Sequence, residues 1–98
     1  MAGAAGSQRS VQVRIEGRVQ GVGYRAWTAD EARTRGLRGW VRNRRDGAVE
    51  AVLAGPADVV AEMLERCAVG PPAARVTNVA IIAEAVAAID GFSVLPTL

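Results

Sequence analysis

Val11, Val13 and Ile15 alternate with Gln12, Arg14 and Glu16, and this segment runs directly into Gly17–Gly23, where three of seven residues are glycine. An apolar residue at every second position is the mark of a strand with one buried face. The glycines that follow allow a sharp loop with inward-turned backbone N–H groups. Past the loop the pattern changes period. A helix is predicted from Tyr24 to Arg35, with Tyr24, Trp27 and Ala32 near one face and Gly36 as its stop. A strand, a glycine loop and a helix in that order restrict the opening of the chain to a few arrangements.

The rest of the sequence narrows them further. Leu37–Asn43 reads as a second strand, Arg44–Gly47 as a turn with a strong Asp-Gly hairpin signal, and Ala48–Ala54 as a third strand. Gly55-Pro56 opens a second helix, proline suiting the first helical position. Its stripe is Val59, Val60, Met63, Leu64 and Cys67. Gly70-Pro71-Pro72 breaks the chain before a Val- and Ile-rich fourth strand, Arg75–Glu84. Ala85–Gly91 is alanine-rich and its pattern fits no single element, and Phe92–Leu95 reads as a short last strand. The order β-α-β-β-α-β predicts an α+β ferredoxin-like sandwich, an antiparallel sheet with both helices packed on one face. Residues 1–9 are expected to form a flexible tail and residues 10–98 one domain. In this topology the third strand lies between the first two, which run parallel to each other. The end of the first strand, the start of the first helix and the end of the second strand then share one sheet edge. Arg25 and Asn43, 18 residues apart, can meet there.

What the chain lacks limits its chemistry. It has no histidine, no lysine and one cysteine, Cys67. Cys/His zinc sites, Ser-His-Asp and Cys-His nucleophile systems, an internal disulfide and a Walker A lysine are all excluded. There is no apolar run of about 20 residues and no signal-peptide pattern, so a cytoplasmic protein without membrane contact is expected. The charge is uneven. Residues 1–45 hold ten arginines against Glu16, Asp30 and Glu31, a formal +7, and an anionic ligand is drawn to that half. Arg42, Arg44 and Arg45 read as a solvated face, Trp27 and Trp40 as packing residues, and Cys67 as an inert core residue.

Gly17–Arg25 (Gly-Arg-Val-Gln-Gly-Val-Gly-Tyr-Arg) can hold a phosphate. Its glycines permit an anion-binding nest, and the helix start adds free N–H groups. Arg25 offers a planar fork of donors, and Arg18 stands at the loop's mouth. An arginine at a helix N-terminus opposes the dipole unless an anion sits there. Gly21–Ala26 also spells G-x-G-x-x-A, the dinucleotide fingerprint. The late first glycine, the lack of an acid at the end of the second strand and the Asp-Gly hairpin count against that use. A site with no histidine, lysine or evident metal-binding carboxylates can still bind phosphate and position water. That suffices for a good leaving group such as a carboxylate, with a pKa of about 4–5. An RNA-binding module of the same fold needs aromatics on the central strands, and the first and third strands have none. A non-catalytic anion sensor is the other alternative.

Gly17–Arg25 closely resembles the signature loop of the acylphosphatase family. Gly36-Leu37-Arg38-Gly39-Trp40-Val41-Arg42-Asn43, followed by Asp46-Gly47, resembles its second signature. Val49-Glu50, Gly55, Gly70-Pro71 and Phe92 also fall where the family pattern expects them, and the resemblance covers about residues 10–95. It implies a hydrolase of acyl phosphates with no metal or cofactor; a free-standing monomer acting on a small-molecule acyl phosphate, with no nucleic-acid partner, is expected. The family's phosphate-binding arginine falls on Arg25 and its water-positioning asparagine on Asn43. The phosphate-cradling amides fall on Val19, Gln20, Gly21, Val22, Gly23 and Tyr24. Tyr24 stands where many members carry phenylalanine, and Ala83–Ile89 is less polar than the family pattern.

Overall fold

A computed structural model describes residues 7–98. The strands are β1 (Gln8–Arg18), β2 (Arg38–Asn43), β3 (Val49–Pro56), β4 (Arg75–Glu84) and β5 (Phe92–Val94). The helices are α1 (Tyr24–Thr34) and α2 (Ala57–Val69). One sheet has the order β4-β1-β3-β2-β5. The first four strands make the expected antiparallel ladder, with β3 between β1 and β2. The sheet is mixed rather than wholly antiparallel, because β5 lies parallel to β2. Parallel neighbours need a long crossover. The chain between β2 and β5, through β3, α2 and β4, supplies it.

Both helices cover one face, as the ferredoxin-like order requires. Val11, Val13 and Ile15 of β1 stand opposite Leu53, Ala51 and Val49 of β3. All six are buried beside Val60, Met63 and Cys67 of α2 and Ala29 and Ala32 of α1. Burying each of the larger aliphatic side chains contributes about 1.5–3 kcal/mol. Tyr24 ties the two helices together, its hydroxyl donating to the Cys67 carbonyl at 2.7 Å. That bond accounts for a tyrosine where phenylalanine is common, since a buried phenol needs a partner. Burial pushes its pKa up.

The open face carries Glu50, buried although it is charged. Gln12 Nε2 (2.6 Å), Arg42 Nε (2.8 Å) and Arg44 Nη1 (3.5 Å) donate to its carboxylate. Arg42 also lies over the Trp40 ring. Arg42 and Arg44 are therefore partners of a buried acid, whereas the sequence pattern marks them as solvated. Arg45 is exposed.

Several boundaries differ from expectation, and β1 also runs on through Gly17 and Arg18 of the expected loop. Gln8 and Arg9, expected in the tail, belong to β1, opposite Pro56 and Gly55. Residues 1–6 lie outside the described residues. Pro56 closes β3 and α2 starts at Ala57, one position later than the Pro56 start predicted. Ala85–Gly91 forms no regular element and crosses from the β4 edge to the β5 edge. It is held by Ala85 N–H to the Ser10 carbonyl (2.9 Å) and Ser10 Oγ–H to the Val86 carbonyl (2.6 Å). Among the described residues no helix is long and apolar enough to cross a membrane.

Candidate active site

The loop after β1 reaches α1 by passing over the β2–β3 hairpin. Gly23, with φ 79° and ψ 17°, is the residue that turns the loop into the helix. A side chain there would be strained in the left-handed region. No side chain caps α1 and no acid stands in its first turn. Its first internal bond runs from Trp27 N–H to the Gly23 carbonyl at 3.0 Å. Among the described residues, no backbone N–H from Gly21 to Ala26 has a protein acceptor. These free donors, at the positive end of the helix dipole, favour an anion.

Asn43 reaches the same place from the sheet. It stands opposite Val49 in β3, which stands opposite Ile15 in β1. Val41, two residues earlier, is buried against the helices, so the pleat turns Asn43 to the helix side as well. A polar side chain thus ends an apolar row. Its Oδ1 is buried and has no partner. Such a group costs about 1–3 kcal/mol unless something outside the protein satisfies it.

Arg25 and Asn43 line one cavity of about 310 Å3 with Val19, Gln20, Gly21, Gly23, Tyr24, Ala26 and Val94. Of the loop residues expected there, Val22 does not line it; its side chain packs against the core. Arg25 is half-buried and makes no ion pair among the described residues. Arg18 is exposed at the end of β1 opposite Arg75 and does not line the cavity. The side chain of Gln20 clamps the loop onto the hairpin. Its Nε2 donates to the carbonyls of Arg44 (2.7 Å) and Ala48 (2.8 Å). Sequence reasoning assigned Gln20 a backbone role only, and it missed Ala26 and Val94. Ala26 was inferable from its place beside Arg25 in the first helical turn. Val94 had no local signal, because it arrives through the β2–β5 pairing.

The cavity lining contains one cation, one amide beside the clamp, and no Asp, Glu, His or Lys. Among the described residues no three His, Cys, Asp or Glu side chains converge as metal ligands. An arginine and free amides at a glycine loop thus share one cavity with an amide side chain from the sheet. The acylphosphatase family model matches residues 11–94. The chain belongs to the acylphosphatase family. An acylphosphatase of Rhodopseudomonas palustris is 66% identical over 73 residues, 74% of this chain and 72% of that protein. An acylphosphatase of Azorhizobium caulinodans is 59% identical over 85 residues, 86% of this chain and 91% of that protein. The crystal structure of acylphosphatase from Bacillus subtilis superposes with a TM-score of 0.82 at 34% identity, over 90% of this chain and 98% of that one. The activity is that of an acylphosphatase enzyme, the hydrolysis of acyl phosphates.

Proposed function

We propose that this acylphosphatase cavity works by in-line attack of a water held by Asn43 on a phosphoryl group held by Arg25. The observation that carries this reading is that Asn43, from the sheet, and Arg25, from the helix start, line one cavity whose lining holds no other charged side chain. The Asn43 amide hydrogen-bonds a water in the cavity, and that water presents a lone pair to phosphorus. Arg25 gives the phosphate two parallel N–H···O bonds, and the N–H groups of the loop through Tyr24 take the remaining oxygens. Their charge stabilises the transition state, in which negative charge spreads over the equatorial oxygens. The new P–O bond forms to water while the bond between phosphorus and the acyl oxygen breaks, and its electron pair leaves on the carboxylate. The water's proton passes to a phosphate oxygen, since no side chain lining the cavity is a base. The products are a carboxylate and inorganic phosphate.

The test is release of inorganic phosphate from acetyl and benzoyl phosphate in the presence of EDTA. Turnover by the wild type, with kcat/KM reduced by about 10²–10³-fold or more in Arg25→Ala, is expected. No turnover above background, or full activity in a folded Arg25→Ala protein, would sink the assignment.

A further inference from the structure

We infer that Val94, with Ala26 beside it, forms the acyl side of the cavity and selects substrates whose acyl group is neutral and apolar. This inference rests on the hydrolase reading above. In-line attack fixes the direction of the leaving group, because the acyl oxygen must depart opposite the water. Asn43, which holds that water, lines the cavity from the sheet, with its Oδ1 closed off beneath. The acyl group therefore points away from Asn43 and out past the rim. Val94 and Ala26 are at that rim. Val94 stands opposite Val41 in the parallel β2–β5 pair, two residues before Asn43 in register. It shares the helix-facing side with Phe92, which is buried. Phe92 is covered by the core, but Val94 lies beyond it and remains 45% exposed at the edge of the cavity. Ala26, exposed in the first turn of α1, lines the same cavity.

Among the described residues Val94 belongs neither to the core nor to the residues packed against it. An aromatic or alkyl acyl group covering it would remove apolar area from water. Among the lining residues the only charge is that of Arg25, committed to the phosphate. A second anionic group on the acyl chain would meet no second charged side chain in the lining.

The experiment compares benzoyl, acetyl and succinyl phosphate, the last carrying a free carboxylate, on wild type, Val94→Ala and Val94→Arg. Thermal unfolding checks that each variant folds. The expected wild-type order of kcat/KM is benzoyl, then acetyl, then succinyl. Val94→Ala should lower the benzoyl-to-acetyl ratio by about 3–10-fold through lost apolar contact. Val94→Arg should raise the succinyl-to-acetyl ratio by about 3-fold or more by offering a counter-charge. Ratios unchanged in both folded variants would overturn the inference while leaving the hydrolase reading standing. Absence of turnover on all three substrates by the wild type would instead remove the hydrolase reading and this inference with it.

Discussion

The clamp made by Gln20 gives the sharpest test of how the site is held together. Its Nε2 faces two carbonyl oxygens, so the amide orientation follows from the partners themselves. Replacing it with alanine removes two side-chain hydrogen bonds, each worth about 0.5–1.5 kcal/mol net. Neither carbonyl is left bare. Arg44 O still accepts from Gly47 N–H (3.2 Å), and Ala48 O from Arg44 N–H (2.8 Å). The stability loss on Gln20→Ala should therefore stay near the sum of the two bonds, about 1–3 kcal/mol. The catalytic loss should be larger in proportion. The loop carries the phosphate donors, the hairpin follows directly from Asn43, and the clamp sets the distance between them. A misplacement of about 1 Å can cost about 10²-fold in rate. Gln20→Glu is the stringent variant, because an ionised carboxylate has no donor and would face two carbonyl oxygens. We expect kcat on benzoyl phosphate to fall in the order wild type, Gln20→Ala, Gln20→Glu, with urea unfolding run in parallel. If Gln20→Ala keeps kcat within about twofold of wild type while losing the expected stability, the clamp is structural only and the positioning argument fails.

Three further expectations follow from single residues. Asn43→Ala should abolish most of kcat, yet unfold at the same or a higher denaturant concentration, because it deletes a buried oxygen without a partner; a marked loss of stability would show that Oδ1 is satisfied within the fold. Gly39 has φ 138°, and a Cβ there would overlap the Val52 carbonyl oxygen, so Gly39→Ala should cost about 3 kcal/mol or more, read as a fall in Tm, and a wild-type Tm would refute the close approach. Asp46 is held below the ordinary aspartate pKa first by the Ala48 N–H and then by the Arg14 guanidinium. Its contribution to stability is complete above the unfolded-chain pKa and is lost as pH falls through the lowered folded value. Acid unfolding of Asp46→Ala should accordingly be less steep across that range, and a curve parallel to wild type would contradict it.

The elements were legible where one local rule dominates. The alternation at Val11–Ile15 fixed which face of β1 is buried, and the stripe from Val59 to Cys67 fixed the inner face of α2. The pairing of Arg25 with Asn43 followed from element order alone, since strand order decides which loop ends share an edge. What escaped was set by contacts distant in sequence. Nothing around Glu50 indicates that three side chains from two other strands and the hairpin will enclose it. Nothing around Val94 indicates a parallel partner some fifty residues earlier. The extension of β1 to Gln8 was missed for a related reason, because polar edge residues join a strand when their backbone finds a neighbour.

The strand order β4-β1-β3-β2-β5 also bears on how the molecule forms. Only β2 and β3 are joined by a hairpin; every other pairing closes a long stretch of chain, and that closure entropy precedes any reward. Arg25 cannot reach Asn43 until β1 has docked on β3, and Val94 cannot reach either until the chain has come back to β2. Partly folded chains would therefore have no active site, and recovered turnover during refolding would report completion of the sheet rather than formation of its helices.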